Sequence, residues 1–222
     1  LRATLPDLDA LWLNFGHPVS LRALKLCDDV PTIRPFAVLR GHYDRDAALR
    51  TTGSGLKKRL AGKVTQTLMG AFARKARAVD LPCFGAGTAA RLEGFGVRNM
   101  AIVDSLLDDD DVAAPPEPDP ALASDLLAVG RLGHEKGVDI LLEAVARVPG
   151  ATVRIVGSGE EEARLHRQAH ELGLDERVFF DGHVPFGPAL FGRYVSARLL
   201  VIPSRTEGAP KTAFEAMAFG TP

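Results

Sequence analysis

Apolar positions in the second half of the chain follow two alternating patterns. Short apolar runs suited to buried parallel strands occur at 126–129, 152–156, 178–180 and 199–202. One helix face is predicted by Val138, Leu141, Leu142, Val145 and Val148. A second helix is predicted by Leu165, Ala169 and Leu172, ahead of Gly173. Because strands alternate with helices, the pattern predicts a doubly wound parallel sheet.

The first half shows a similar but weaker pattern. Its predicted strands are 10–13, 32–39 and 100–103. Its predicted helices lie near 20–27, 56–78 and 88–94. Four prolines fall within residues 113–124, a segment without apolar periodicity that is typical of a linker. The sequence therefore predicts an α/β protein with two Rossmann-like lobes, at 1–112 and 125–222, joined by the linker 113–124.

Composition narrows the class of protein. A net charge of −1 over 222 residues, with 46% apolar residues, allows a core and gives no general attraction to nucleic acid. The two cysteines suit a reducing compartment, and no apolar run reaches the length of about 20 residues that a membrane span needs. We expect a cytoplasmic protein without a nucleic-acid partner.

Charge is distributed unevenly in the first lobe. The segment 47–79 holds eight basic residues and no acid: Arg50, Lys57, Lys58, Arg59, Lys63, Arg74, Lys75 and Arg77. Such a helix is either a solvated surface, which we favour, or a peripheral contact with the inner face of an anionic membrane. The acidic run 108–111 precedes the proline-rich segment, and we interpret it as solvated and not as a metal site.

Two carboxylates frame the last predicted strand–loop–helix unit. Glu207 follows the strand 199–202 on a loop, Pro210 suits the first position of a helix, and Glu215 lies in that helix. Its predicted buried face is Phe214, Met217 and Ala218. Ligands of open α/β sheets bind at the carboxyl ends of strands, and helix N-termini attract anions. The unit therefore suits a sugar diphosphate, although each acid alone is also typical of a solvated surface.

Cations and glycines follow two other strands of the same lobe. Arg131 and Lys136 flank the turn after strand 126–129, where two fixed cations would neutralise a leaving diphosphate. Gly157 and Gly159 follow strand 152–156, but Glu162 stands where a dinucleotide fingerprint needs a third glycine. Glycines there would let the backbone approach a base or ribose. The alternative for Arg131 and Lys136 is an exposed loop pair.

These segments resemble retaining glycosyltransferases of family 4, which have the GT-B fold. Glu207 and Glu215 match the E-x7-E signature, and the segments 128–144 and 153–162 are similar to the diphosphate-clamping strand and helix and to the nucleotide-side glycine turn. The resemblance is specific over 125–222. It implies that Glu207 contacts the donor sugar and that Glu215 holds the ribose. Other implied donor contacts are Gly130, Gly157, Gly159, Gly208, Ala209, Lys211 and Thr212. Family members often carry a histidine or an acid near the donor sugar, so His42 is a further candidate, with turn capping as its alternative.

The resemblance implies a hexosyltransferase-like enzyme of polysaccharide or glycolipid biosynthesis. It would move a sugar from a nucleotide diphosphate sugar to a saccharide or lipid-linked acceptor, with retention, in the cleft between two lobes and without a cofactor or metal. Many family members act on lipid-linked acceptors, which keeps the membrane contact open. The chain begins without methionine and ends at Thr221-Pro222, so we expect a fragment with both lobes incomplete. The alternatives are a nucleotide-sugar epimerase on the same fold and a non-catalytic nucleotide-sugar-binding protein.

Overall fold

The structure, a computed structural model, contains two compact units. It describes residues 10–14, 18–30, 34–38, 55–75, 81–84, 86–94, 97, 99–102 and 105–222. The first unit lies within 1–104 and also includes 206–209, whereas the second comprises 105–205 and 210–222. The candidate His42 lies outside the described residues, as do Arg50 and Arg77 of the basic segment.

The described part of the first unit has parallel strand pairs and three helices. Its strands are β1 (Ala10–Asn14), β2 (Arg34–Val38), β3 (Leu81–Phe84) and β4 (Asn99–Ile102). Its helices are α1 (Pro18–Cys27), α2 (Gly55–Lys75) and α3 (Ala86–Gly94). β1 pairs with β2 and β3 with β4, both in parallel. The described bounds confirm the predicted elements, of which residues 32–33, 39, 76–78 and 103 lie outside the described residues. Strand β3 was not predicted, because it is four residues long and contains Pro82.

The described core residues of the first unit come mainly from its helices. Met69, Phe72 and Ala73 of α2 are fully buried with Leu92 of α3 and Cys83 of β3. All the buried residues of α2 lie at or after Met69, so the first half of this helix lies outside the core. No described helix of the chain is long and apolar enough to cross a membrane.

The second unit is a parallel sheet with helices on both faces. Its strands are β5 (Ser124–Val129), β6 (Val153–Val156), β7 (Val178–Gly182) and β8 (Ala197–Leu200), in the order β7-β6-β5-β8. Its helices are α4 (Asp109–Ala113), α5 (Val138–Ala146), α6 (Glu162–Glu171), α7 (Pro188–Ser196) and α8 (Lys211–Ala218). All of its strand pairs are parallel, which confirms the doubly wound α/β fold.

Neighbouring strand residues of the second unit belong to different cores. Ala128 and Ile155 pack with α5 and α6, whereas Leu127 and Val156 pack with α7 and α8. Because successive strand side chains point to opposite faces, both faces of the sheet are covered. This explains the continuous apolar runs in the sequence.

Three predicted boundaries in the second unit were wrong. β8 ends at Leu200 and not at 202, although the Val201 amide still donates to the Leu127 carbonyl at 2.8 Å. Val148 and Leu172, predicted as buried helical positions, are 54% and 37% exposed. Helices α5 and α6 end before these residues, at Ala146 and Glu171.

The end of the proline-rich segment 113–124 is hydrogen-bonded to the second unit. Residues Pro120–Leu122 form a 3-10 turn, and the buried guanidinium of Arg154 donates to the carbonyls of Ala121 and Leu122 at 3.0 and 3.2 Å. Arg154 also donates to Asp181 at 2.5 Å. This pairing compensates the two buried charges and fixes the entry of the chain into β5.

Candidate functional site

A cavity lies at the carboxyl ends of β5, β6 and β7. Its volume is about 460 Å³, and its lining includes Gly130, Arg131, Gly157–Gly159 and His183. These residues directly follow their strands, so the parallel sheet brings together segments that are distant in sequence. His183, which the sequence analysis did not propose, is exposed and also lines this cavity.

A second cavity, of about 670 Å³, lies at the opposite edge of the sheet. It is lined by the starts of β5 and β8, including Asp125 and Leu199, and by Ala144–Val145 near the end of α5. The C-terminus of a helix presents carbonyl oxygens and the negative end of its dipole. Ligands of open α/β sheets bind at the carboxyl ends of the strands, so the smaller cavity is the better candidate.

Gly157 and Gly159 allow two loops to approach each other closely. The Leu132 amide donates to the Ser158 carbonyl at 2.8 Å, and the Glu161 amide donates to the Leu132 carbonyl at 3.0 Å. A Cβ atom on Gly157, which has a φ of 137°, would overlap the Gly130 carbonyl oxygen, and one on Gly159 would lie 2.5 Å from the Leu132 carbonyl oxygen. Protein backbone thus accounts for both glycines before any ligand is considered.

Arg131 carries two carboxylate partners in the structure. Its Nη1 donates to both oxygens of Glu160 at 2.9 Å, and its Nη2 donates to Glu135. Glu135 is buried, whereas the side chains of Arg131 and Glu160 are 43% and 61% exposed. The predicted diphosphate cation is therefore at the cavity, but its charge is balanced by two acids.

Lys136 lies in a 3-10 turn, His134–Lys136, that is held against the loop after β8. Gly137 ends this turn with a left-handed φ of 66° and is the N-cap of α5. A Cβ atom on Gly137 would overlap the carbonyl oxygen of Pro203. Only glycine therefore fits between the turn and that loop.

Arg205 is a residue of this region that sequence reasoning missed. It donates to both carboxylate oxygens of Asp139, which lies in the first turn of α5, at 2.8 and 2.7 Å. The paired guanidinium lowers the pKa of Asp139 although burial opposes the shift, and the carboxylate raises the pKa of Arg205. No short-range sequence signal identifies this pair, because its members are 66 residues apart.

Glu215 is buried in α8. It is 5% exposed, and the hydroxyl of the fully buried Tyr194 donates to its Oε2 at 2.6 Å. Burial, and then the neighbouring Glu215, raise the pKa of Tyr194. The hydroxyl of Thr221 in turn donates to the Tyr194 carbonyl at 2.6 Å. Glu215 is therefore held rigidly by α7 through Tyr194.

The predicted buried face of α8 was wrong. Glu215, Ala216 and Phe219 are buried, whereas Met217 is 72% exposed. The helix begins at Lys211 with Pro210 as its N-cap, one residue later than predicted, and no side chain caps it there. Glu215 thus points inward and Met217 outward, whereas the apolar pattern alone predicts that Met217 is buried.

The remaining predicted site residues divide between the two units. Glu207, Gly208 and Ala209 lie in the segment 206–209, which groups with the first unit, whereas Lys211 and Thr212 belong to the second. All five residues are half-buried. The structure brings Gly130, Arg131, Gly157 and Gly159 to one cavity, and it puts Lys136 in the turn that follows Arg131.

The acidic run 108–111 forms a helix start. Asp108 and Asp111 make a reciprocal capping box at the start of α4, in which each side chain accepts from the backbone amide of the other residue. Among the described residues, no group of three or more His, Cys, Asp or Glu side chains is arranged to hold a metal ion.

Comparison with known proteins gives a consistent assignment. Residues 119–222 match the family model "Glycosyl transferases group 1". Over 101 residues the chain is 39% identical to an uncharacterized glycosyltransferase of Haemophilus influenzae, with 44% of this chain and 28% of that protein covered. It is also 42% identical, over 101 residues, to D-inositol 3-phosphate glycosyltransferase of Mycolicibacterium smegmatis, with 42% of this chain and 23% of that protein covered. The matched region thus spans about a quarter of each relative.

Solved structures support the same fold. HepE of Anabaena, solved in complex with UDP, matches with a TM-score of 0.68 at 19% identity, covering 100% of this chain and 60% of that chain. This likeness confirms the α/β fold with parallel sheets. Residues 119–222 are therefore similar in sequence to glycosyl transferases group 1.

Proposed function

We propose that the protein transfers a sugar from a nucleotide diphosphate sugar to an acceptor hydroxyl, with retention of anomeric configuration. The observation that carries the proposal is the position of Arg131 at the carboxyl-end cavity of a glycosyl transferases group 1 domain. HepE, which shares the fold, was solved with UDP, with UDP and glucose, and with UDP-glucose. The donor is accordingly a nucleotide diphosphate sugar.

The first task of the site is to stabilise the leaving diphosphate. Negative charge builds on the β-phosphate as the bond between its oxygen and the anomeric carbon breaks, and fixed cations stabilise that charge. Arg131 and Lys136 supply these cations, so the reaction needs no resident metal. The acceptor oxygen bonds to the anomeric carbon on the face that the diphosphate leaves. The acceptor's proton goes to the departing phosphate oxygen.

The second task is to bind the neutral parts of the donor. Ionised carboxylates only accept hydrogen bonds and suit paired hydroxyls, so Glu207 binds the sugar and Glu215 the ribose. Backbone groups of Gly208, Ala209, Lys211 and Thr212 bind the sugar and diphosphate, and the glycine loops at Gly130, Gly157 and Gly159 border the nucleotide. His42 is a further sugar contact. The acceptor is a saccharide or a lipid-linked sugar reached from the cytoplasm.

Product analysis tests the proposal directly. The intact protein is incubated with a panel of nucleotide diphosphate sugars and an acceptor extract, and release of nucleoside diphosphate is followed together with the anomeric configuration of the product. We expect coupled release and transfer with retention. Arg131→Ala and Glu207→Ala should lose at least about 100-fold in rate, whereas Arg167→Ala, an exposed residue of α6, should not.

The other outcomes identify the alternatives. An epimerase would convert the sugar without releasing diphosphate, and a binding protein would bind UDP without turnover. An inverted product would overturn the mechanism while leaving the transferase assignment intact. Transfer that is unchanged in Arg131→Ala and Glu207→Ala would overturn the site.

A further inference from the structure

We propose that the exposed face of the first half of α2 is a docking surface for an anionic lipid bilayer. The helix comprises Gly55–Lys75 and contains no Asp or Glu. Within 55–68, all of which the structure describes, no side chain is buried. The first half of the helix thus contributes no buried residue to the core of its unit.

An apolar stripe runs along this half of the helix. Leu56, Leu60 and Val64 are 78%, 62% and 51% exposed, and they follow one another at intervals of four residues. At this spacing the three side chains fall on one face within about 80° of each other. We call these three residues the apolar stripe. Single exposed leucines are ordinary, but three in register on one helix face form a continuous surface.

The apolar stripe lies opposite the face that the core uses. Met69, Gly70, Phe72 and Ala73 are the buried residues, and their mean direction around the helix is roughly 160° from that of the apolar stripe. The helix therefore has two apolar faces. One is buried in the core and the other meets solvent.

Cations border the apolar stripe on both sides. Lys57 lies next to Val64 around the helix, and Lys63 and Arg59 lie beyond Leu56 on the other side, all three exposed. Lys75 is paired with Asp28 and is not counted. Apolar side chains between flanking cations fit the interface of an anionic bilayer, where the chains enter the acyl boundary and the cations reach lipid phosphates.

Charge complementarity selects the bilayer over a second copy of the chain. Two such helices packed face to face would bring like charges together along the contact, and like charges in contact are unfavourable. The proposal concerns only the first unit and does not depend on glycosyl transfer. Its test therefore uses neither donor nor acceptor.

Vesicle flotation tests the surface. The intact protein is mixed with phosphatidylcholine vesicles that contain about 30% phosphatidylglycerol, or none, at low salt and at about 0.5 M NaCl. We expect binding to the anionic vesicles that falls at least about 10-fold at high salt. The stripe variant L56S/L60S/V64S and the charge variant K57Q/R59Q/K63Q should each bind at least about 10-fold more weakly.

Matched variants of the second unit control for general effects. V148S/M217S replaces exposed apolar residues, and R147Q/R167Q/R198Q replaces exposed cations. Both should bind vesicles like the parent protein. All variants should keep the parent melting temperature, because the changed side chains are exposed.

Three results would overturn the proposal. The first is the absence of binding to anionic vesicles, and the second is equal binding to neutral ones. The third is undiminished binding by the stripe variant. A fourth result would come from sedimentation. If the parent protein is a dimer and only the stripe variant is a monomer, the apolar stripe is a self-association surface.

Discussion

Arg205 and Asp139 join the loop after β8 to the first turn of α5 through a bidentate ion pair. The guanidinium donates to the carboxylate oxygens at 2.8 and 2.7 Å, and its Nη1 also donates to the His134 carbonyl at 2.7 Å. The Arg205 amide donates to the Glu135 carbonyl at 2.8 Å. Together these bonds hold the loop after β8 against the turn that carries Lys136.

Arg205→Ala should destabilise the protein and weaken donor binding. It leaves the Asp139 carboxylate, 17% exposed, without its guanidinium, and such a loss costs about 1–3 kcal/mol of unfolding free energy. Because the turn with Lys136 loosens, the affinity for UDP should fall by a factor of about 3–10. Denaturant unfolding and UDP titration measure the two effects.

An exposed pair provides the control. Arg198 donates to Asp125 at 3.2 Å, but the Arg198 side chain is 82% exposed. Arg198→Ala should change the unfolding free energy by about 1 kcal/mol or less and leave UDP affinity unchanged. Equal losses in the two variants would remove the special role of Arg205.

The same pair predicts a pH dependence of stability. The pKa of Asp139 is lowered in the folded state by Arg205, so the unfolded state binds its proton more readily. The stabilisation of the folded state by this pair is complete above the ordinary aspartate pKa of about 3.9. It is lost as the pH falls through the lower pKa that Asp139 has in the folded state. Unfolding curves from neutral pH downward should therefore converge for the parent and Arg205→Ala in acid. If the difference in unfolding free energy between the two proteins stays constant to below the folded pKa of Asp139, the prediction is wrong.

Tyr194→Phe should affect both stability and donor binding. It removes the hydroxyl that donates to Glu215 Oε2 at 2.6 Å and leaves a carboxylate that is 5% exposed without this bond. We expect a loss of about 1–3 kcal/mol in unfolding free energy. Because we propose that Glu215 binds the ribose, KM for the donor should rise several-fold, while kcat changes less.

Thr221→Val separates the two effects of that change. The Thr221 hydroxyl donates to the Tyr194 carbonyl at 2.6 Å and is equally buried, but it does not contact Glu215 in the described hydrogen bonds. We expect a comparable loss of stability with an unchanged KM. Should KM rise equally in both variants, Tyr194 would act through stability alone.

Glu160→Gln should increase the affinity for a nucleoside diphosphate. Glu160 occupies Arg131 Nη1 with both carboxylate oxygens, so it competes with a phosphate for the same guanidinium. The pair is exposed, and such pairs contribute about 1 kcal/mol or less, which limits the gain in affinity to about 5-fold. UDP titration at low salt measures it, with Glu171→Gln on the exposed end of α6 as the control. A loss of affinity would instead make Glu160 a residue that orients Arg131.

Local patterns predicted the framework of the protein but not its long-range pairs. The runs 126–129 and 178–180 identified β5 and β7 because buried parallel strands are continuously apolar. The turn after β5 identified Arg131, because ligands of such sheets lie at the carboxyl edge. No local pattern predicts the pair of Arg205 and Asp139, since only the folded chain brings the loop after β8 to the start of α5.

Glu215 shows why the buried face of α8 was mispredicted. Periodicity assigns inward positions to apolar residues, so Met217 was favoured over a carboxylate. Burial of Glu215 depends on a hydrogen-bond donor from another helix, Tyr194, which the sequence of α8 does not contain. The E-x7-E resemblance proposed Glu215 as a site residue but did not predict that partner.

Gly157→Ala should be among the most damaging single changes in the second unit. Gly157 has a φ of 137°, and an added Cβ would overlap the Gly130 carbonyl oxygen, which is backbone and cannot move without disturbing β5. Gly150→Ala is the matched control, because its φ of 76° is also positive but no atom lies within 4 Å of the added Cβ. We expect a loss of about 1 kcal/mol at Gly150 from backbone strain alone and at least about 3 kcal/mol at Gly157, measured by denaturant unfolding. Similar losses at the two positions would mean that the loops at Gly130 and Gly157 separate at little cost, and the cavity they form would then be adaptable and not preformed.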